Sequence, residues 1–326
     1  MNKKTKKIIF STLPIFLGVF LVWWLYRSLQ KNGLNNTFDL IKNANYYWIL
    51  LSLFLGLLSH LSRAYRWRFL LEPLGYKPKF INTTLTIFTA YIVNLALPRA
   101  GEFVRVTEIS NYEDIPLDEA LGTVVAERVI DVVMLLLIIS IAFFYQFDLL
   151  SSLLTSKIPK NPFILIGISL VFITFGFGFL HLIRKSNNVI FKKIRSFSFG
   201  IFEGVKSIFK MKKRGAFLFH TFFIWGMYLL MFYVASFAIP ETSNMPFGAV
   251  ITAFVAGSLS MAATNGGLGS YPIGVQQVLL IYGIAASPAL AFGLLMWTAQ
   301  TLMVIVLGGL SFIALPLIKR HKTIIR

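Results

Sequence analysis

The sequence predicts an all-α integral membrane protein, with about six full transmembrane helices and two re-entrant helical hairpins. Of its 326 residues, 56% are hydrophobic and 13% are charged, whereas a soluble chain carries about 25% charged residues. Several apolar runs of about 20 residues are long enough to cross a bilayer. Lysine and arginine are concentrated in short segments beside these runs, which is typical of cytoplasmic loops.

The composition also excludes several classes of protein. The net charge of +18 lies in short flanking segments rather than on one amphipathic face, so it favours anionic phospholipids at the cytoplasmic face and not nucleic acid. There are no cysteines, which excludes disulfides, thiolate metal sites and cysteine nucleophiles. The apolar run after MNKKTKK is too long for a cleaved signal, so the first span is expected to be a retained anchor.

The spans and loops follow from this pattern. The basic segment 1–7 and the basic tail 316–326 predict that both termini are cytoplasmic, and the loop 184–214, with ten Lys or Arg, is predicted to be cytoplasmic too. We therefore expect a multi-pass protein of a bacterial-type inner cell membrane, forming one polytopic membrane domain over 1–326. The apolar stretches are 8–26, 46–61, 81–98, 121–147, 162–183, 216–239 and 247–315.

A polar island over 94–131 interrupts the apolar chain. It holds eight of the 13 acidic residues, together with Arg99, Arg105 and Arg128. If 81–98 crossed the membrane alone, the basic loop 184–214 would lie outside, which the positive-inside rule disfavours. We therefore predict a re-entrant hairpin over 81–112, broken at Pro98 and Gly101 and buried in protein or lining a wet cavity.

A second interruption, NGGLGSYPIG at 265–274, predicts a second hairpin over 247–284, although two full spans would fit equally well. Asn265, Gly266, Gly267 and Gly269 would form its backbone. These glycines permit close backbone approach, and N–H donors at the start of the returning helix could bind an anion. Packing of helices on small residues is the alternative. Two hairpins entering from opposite sides would be an inverted repeat.

The charged residues of the island are the predicted functional site. They are Arg99, Glu102, Arg105, Glu127, Arg128 and Asp131. Glu102 and Arg105 are i,i+3 neighbours and could pair, or Glu102 could accept an ammonium group while Arg99 or Arg105 holds a phosphate. An internal ion pair that only fixes the hairpin is the alternative.

In the segment AERVID, Glu127 and Asp131 share a helix face, and Arg128 can pair with Asp131. The surplus carboxylate would be available to a cation, to a proton or to Arg105. The alternative is that Glu127 and Arg128 reach interfacial water. Arg63, Arg66 and Trp67 are interpreted as a cytoplasmic lipid-interface cluster, which anchors the chain or recruits anionic lipid.

No motif indicates a catalytic or cofactor site. The histidines lack metal-ligand spacing such as HxxxH, and neither GxSxG nor SxxK occurs. We expect no metal, no cofactor and no catalytic residue.

Four segments resemble one known family: SRAYRW at 62–67, LPRAGEFVR at 97–105, AERVID at 126–131 and GGLGSYP at 266–272. In order and at suitable spacing, they resemble the flippase-like membrane domain of lysylphosphatidylglycerol synthases and its stand-alone relatives. The resemblance implies a lipid-handling protein, in which the charged residues of the island would bind the lipid head group. The whole domain, 1–326, would then be a flippase-like membrane domain. The chain ends eight residues after Ile318, so the aminoacyl-transferase domain is expected to be absent and lipid lysylation is not expected.

Two departures from that family concern the second hairpin. Asn265 stands where we expect a proline, and Gln276 and Gln277 stand where we expect an acidic residue. A role that depends on charge is therefore not carried over to this hairpin.

The predicted function is movement of a polar-headed lipid, aminoacylated or anionic, between leaflets, without a nucleotide and either passively or coupled to an ion or proton. One alternative is a membrane enzyme that modifies a lipid head group or polyprenyl phosphate. Another is a non-catalytic partner of a soluble lipid-modifying enzyme. A homo-oligomer is also left open.

Overall fold

A computed structural model describes residues 34–97, 99–146 and 211–318. Within these ranges, every element is helical, as the sequence predicted. The α-helices are α1 (Leu34–Lys42), α2 (Tyr46–Leu71), α3 (Phe80–Ala96), α4 (Ala100–Glu113), α5 (Leu117–Tyr145), α6 (Arg214–Ala235), α7 (Pro240–Ser243), α8 (Phe247–Ala263), α9 (Ser270–Ile281) and α10 (Ala286–Ala314). The 3-10 turns are Glu72–Leu74, Ser236–Ala238, Asn265–Gly267 and Leu315–Leu317.

Several predicted segments lie outside the described residues. They are the N-terminal segment 1–7, the spans 8–26 and 162–183, most of the basic loop 184–214, most of the tail 316–326, and Pro98.

The chain divides into two compact units. The first comprises residues up to Glu127 together with those from Lys212 onward, and the second runs from Arg128 to Met211. All the helices below belong to the first unit, apart from the part of α5 that follows Glu127.

Three described helices are long and apolar enough to cross a membrane: Tyr46–Leu74, Arg214–Ala238 and Ala286–Leu317. The shortest has 25 residues, and at a rise of about 1.5 Å per residue it exceeds the roughly 30 Å of a bilayer core. The first of these three helices is longer than the apolar stretch 46–61 predicted. The helix does not stop at residue 61 but continues to Leu71, so the SRAYRW segment is helical rather than part of a loop.

The first hairpin consists of α3 and α4, which pack against each other. The chain turns at Leu97, which is extended, and at Arg99, which has a left-handed φ of 65°. Gly101 must be small, because a Cβ there would meet the carbonyl oxygen of Ala90. Its N–H donates to Asn94 Oδ1 at 2.8 Å, which satisfies an N–H at the start of α4. The helix break predicted at this point is present, and re-entry into a membrane stays a prediction.

The second hairpin consists of α8 and α9, also packed together. Its turn contains three glycines with positive φ, Gly266 (61°), Gly267 (75°) and Gly269 (71°), a conformation that other residues rarely adopt. Helix α10 begins two residues before Pro288, which lies in its first turn, where its missing N–H costs little.

The tips of the two hairpins touch each other within the first unit. Asn265 Nδ2 donates to the carbonyl oxygen of Leu95 at 3.0 Å. Helix α10 contacts both hairpins, because Trp297 Nε1 donates to the oxygen of Gly266 at 2.8 Å and Gly308 lies against the middle of α3 at Phe88.

A buried apolar cluster lies beside the first hairpin and positions the candidate site. It joins α2, α3, α4 and the start of α5. Its members are Ala64, Trp67, Leu71, Ile87, Val106, Ile109, Ile115, Ala120 and Val124.

Candidate functional site

Four charged side chains from three helices meet at one point in the first unit. Glu127 of α5 receives two hydrogen bonds from Arg105 of α4, Nη1 to Oε1 at 3.3 Å and Nη2 to Oε2 at 2.8 Å. This is the forked geometry that a guanidinium prefers with a carboxylate. Arg63 and Arg66 of α2 also approach Oε1, at 3.8 and 3.6 Å. We call these four residues the arginine–glutamate cluster.

The cluster is closed to solvent. Arg66 and Glu127 are 0% exposed, Arg105 is 2% exposed and Arg63 is 6% exposed. Buried charges keep their ionised forms only when they are paired and hydrogen-bonded, because transfer out of water is costly. The forked pair meets that condition for Glu127 and Arg105.

Trp67 holds Arg105 in place. The guanidinium carbon of Arg105 lies 3.8 Å from the centre of the Trp67 ring, a cation–π contact that fixes the plane of the fork. The indole Nε1 donates to Thr123 Oγ1 at 2.9 Å, and Thr123 lies one helical turn before Glu127. The Nε of Arg105 is buried and has no hydrogen-bond partner, so the guanidinium retains a spare donor.

Helix α6 forms another wall of the cluster. Arg66 Nη1 donates to Thr221 Oγ1 at 3.2 Å, and the guanidinium carbon of Arg66 lies 5.7 Å from the centre of the Phe217 ring. Close by, Ser62 Oγ is 2.8 Å from His220 Nδ1. A hydroxyl on the helix of the two arginines therefore contacts an imidazole on α6.

The predicted site residues divide into three groups. Arg105 and Glu127 are brought together, so Arg105 pairs with Glu127 rather than with Glu102. Arg99 is exposed at the hairpin turn and Glu102 is half-buried in the first turn of α4. Their role in binding a head group stays a prediction.

Arg128 and Asp131 belong to the second unit. Arg128 Nη1 lies 3.5 Å from Asp131 Oδ2, so the predicted i,i+3 pair is confirmed. The side chain of Arg128 is 40% exposed and that of Asp131 is 11% exposed. Their role in binding also stays a prediction.

Arg63, Arg66 and Trp67 differ from the expected lipid-interface cluster. Trp67 is 0% exposed, and an interfacial aromatic belt needs rings at the surface. The reason is the continuation of α2 to Leu71, which turns these side chains towards α4, α5 and α6. Sequence reasoning therefore missed Arg63 and Arg66 as members of the central cluster. Their spacing of three residues, which places them on one helix face, was the available signal.

A second buried carboxylate was also missed as a site. Glu113, at the end of α4, accepts hydrogen bonds from the backbone N–H of Lys79 at 2.9 Å and from Asn82 Nδ2 at 2.6 Å. It therefore caps the start of α3, where a negative charge is favoured. No short-range pattern reveals this contact, because the two residues are more than 30 positions apart.

The residues of the second hairpin turn bind mainly to one another and to α10. Thr264 Oγ1 lies 2.6 Å from Ser270 Oγ, and Gln276 Nε2 donates to the oxygen of Ala286 at 3.0 Å. The predicted anion-binding role of Asn265 and the glycines is not tested by these contacts. In the described parts of the chain, no group of three or more His, Cys, Asp or Glu is arranged to hold a metal ion.

Helical hairpins and a buried arginine–glutamate cluster, combined with long apolar helices, define an all-α membrane protein. The chain belongs to the family described as the lysylphosphatidylglycerol synthase TM region, which it matches over residues 11–309. The resemblance noted in the sequence is thus confirmed.

Two relatives carry the description UPF0104 membrane protein. MJ1595 of Methanocaldococcus jannaschii is 29% identical over 128 residues, which are 38% of this chain and 37% of that protein. PH1989 of Pyrococcus horikoshii is 24% identical over 323 residues, 85% of this chain and 90% of that protein. This chain therefore spans little more than a third of the first relative and most of the second. No solved structure matches the chain.

Proposed function

We propose that this protein moves a polar-headed lipid between the leaflets of a cell membrane, and that the arginine–glutamate cluster is part of the head-group site. The observation that carries the proposal is the burial of three guanidinium groups and a carboxylate inside an apolar helical protein. A charged residue at the centre of a bilayer costs about 2.5–3.5 kcal/mol on insertion scales, and such residues generally mark substrate or ion pathways.

The position of the cluster supports this proposal. Arg105 lies on the returning helix of the first hairpin, and broken helices of this kind build substrate sites in many transporters. Arg99 lies exposed at the turn of the same hairpin, and Glu102 lies half-buried in the first turn of α4. We propose that they contact the head group before it reaches Arg105. A separate contact of a head group with Arg128 and Asp131 is proposed for the second unit.

The proposed setting is a multi-pass protein in a bacterial-type inner membrane, with both termini in the cytoplasm. The basic segments 1–7, 184–214 and 316–326 support this orientation through the positive-inside rule, and they would attract anionic phospholipid to that face. No nucleotide is part of the proposal, so movement is passive or coupled to an ion or proton.

The test is a leaflet-specific assay in vesicles. The purified chain is reconstituted with a head-group-labelled phospholipid, and the fraction of label reachable by an impermeant quencher is followed over time. We expect movement by the natural protein and at least a tenfold slower rate for Arg105→Gln, which removes the charge of the fork. The matched control is Lys213→Gln, which breaks the exposed Lys213–Glu72 pair and should leave the rate unchanged.

Each contrary outcome has a definite meaning. No movement above that of protein-free vesicles would refute the proposal. A new lipid species detected by mass spectrometry would indicate a lipid-modifying enzyme instead. Activity that appears only when a second protein is added would indicate a partner subunit.

A further inference from the structure

We infer that the three arginines of the cluster form a binding site for the phosphate group of an anionic lipid, and that Glu127 occupies this site as an internal competitor when no lipid is bound. The inference rests on the proposed function, because it names the chemistry of the head group at that same site. The starting observation is that three guanidinium groups approach a single acceptor.

The arginines converge on one oxygen atom. Arg105, Arg66 and Arg63 reach Glu127 Oε1 at 3.3, 3.6 and 3.8 Å. Only the first of these distances is that of a hydrogen bond. A carboxylate holds its two oxygens in one plane, whereas the phosphodiester of a phospholipid is tetrahedral, so its two anionic and two ester oxygens point in four different directions. A phosphate at this point could therefore accept from donors on both α2 and α4 at shorter distances.

The Arg105 guanidinium is prepared for such an exchange. Its plane is held by Trp67 at 3.8 Å, so its fork keeps its orientation whichever anion it binds. Its Nε is buried without a hydrogen-bond partner, and leaving a buried donor unsatisfied is costly. A tetrahedral phosphodiester presents acceptor oxygens in more directions than the planar carboxylate of Glu127, so it could satisfy this donor too.

The carboxylate comes from a different helix than the arginines. Arg63 and Arg66 belong to α2, Arg105 belongs to α4 and Glu127 belongs to α5. Replacement of the carboxylate by a phosphate would therefore release one contact of α5 while the arginines stay in place. The side chain of Glu127 fills the site of the closed protein, and the phosphate of the lipid takes its position when the lipid enters.

The test measures binding and not movement. The full chain is purified in a phosphate-free maltoside detergent and titrated with short-chain phosphatidylglycerol, with inorganic phosphate and with the matching diacylglycerol, which has no phosphate. Binding is read from the shift in thermal unfolding temperature. Glu127→Gln removes the competing charge and should bind phosphatidylglycerol about tenfold or more tightly than the natural protein does.

Arg105→Lys is the second variant, because it keeps the charge but loses the planar fork. We expect it to fold and to bind phosphatidylglycerol about tenfold more weakly, with little change for diacylglycerol. If Glu127→Gln does not fold, Arg105→Lys alone still tests whether the arginines bind the phosphate of the lipid. Tighter binding of inorganic phosphate by Glu127→Gln would support a site for the phosphate group from either source. Tighter binding of the phospholipid alone would support the lipid source.

The inference is overturned if folded Glu127→Gln binds phosphatidylglycerol no more tightly than the natural protein, or if Arg105→Lys binds it equally well. The failure of the proposed function is a separate result. If the binding changes occur but vesicles show no movement, the phosphate site stands and the transport proposal falls. If lipids with and without a phosphate move equally well in vesicles, the transport proposal stands and the phosphate site falls.

Discussion

The two helical hairpins have the same plan and different chemistry. Each consists of two packed helices joined by a turn in which at least one residue has a positive φ. The first, over 80–113, contains five charged residues, and the second, over 247–281, contains none. Backbone shape alone therefore does not say where a site lies, since only the first hairpin brings a charge to the arginine–glutamate cluster.

The hairpins are also held together by different forces. Side chains close the first at both ends, with Asn94 binding the N–H of Gly101 near the tip and Glu113 binding Lys79 and Asn82 at the opposite end. In the second, the ring of Tyr271 lies where a Cβ of Gly257 would be, and the hydrogen bonds of Ser270 to Thr264 and to the oxygen of Ser260 involve no charged group. We interpret the first hairpin as the one that carries the charged functional groups, and the second as the one that packs against it.

The largest effect is expected from removal of the carboxylate that joins α5 to the first hairpin. Glu127→Ala leaves three buried guanidinium groups without this partner, which should lower the free energy of unfolding by about 3–5 kcal/mol. The measurement is unfolding in detergent followed by fluorescence and circular dichroism. Asp118→Ala, at an exposed position in the first turn of the same helix, is the control and should cost less than about 1 kcal/mol. Equal effects would show that the cluster does not stabilise the fold.

This comparison also shows which features the sequence could predict. The helical class and both hairpin turns follow from apolar length, from Gly101 and from the glycines of 265–274, because turn chemistry is local. The Arg128–Asp131 pair is local as well. The convergence of Arg63 and Arg66 on Glu127 is not a local feature. It depends on how far α2 extends and on which face of α2 meets α4. The same holds for Glu113 and Asn82, since pairing across a hairpin requires its register.

The second prediction compares one glycine from each hairpin. In Gly101→Ala the new Cβ would meet a backbone carbonyl of the adjacent helix, which cannot move aside, so we expect a loss of about 1–3 kcal/mol. In Gly257→Ala the nearest atom is Cε2 of Tyr271 at 2.7 Å, and a ring can shift, so the loss should be smaller. Gly226→Ala, with nothing within 4 Å, is the control in a helix and should not destabilise. A larger loss at Gly257 than at Gly101 would contradict the proposed difference in packing.

The third prediction concerns the capping carboxylate at the open end of the first hairpin. Glu113→Gln keeps the size of the side chain but removes its charge, so the bonds from Lys79 and Asn82 become neutral ones and the favourable charge at the start of α3 is lost. We expect a loss of about 1–2 kcal/mol, since hydrogen bonds to charged groups are worth about twice the neutral ones. The control is Glu72→Gln, whose partner Lys213 is exposed. It should cost less than about 1 kcal/mol. Equal losses for the two variants would mean that the cap contributes no more than a surface pair.

The smallest effect is expected where the two hairpins touch. Asn265→Ala removes the hydrogen bond to the oxygen of Leu95 and should lower the free energy of unfolding by only about 0.5–1.5 kcal/mol, because a half-buried carbonyl can turn to another donor. If the tips separate during transport, Asn265→Ala should change the rate of lipid movement by more than its small loss of stability would explain. The vesicle assay measures this rate directly. Asn244→Ala, at an exposed position, is the control for loss of an asparagine side chain. A rate equal to that of the control would mean that the tip contact only holds the hairpins together, and the difference between the hairpins would then rest on charge alone.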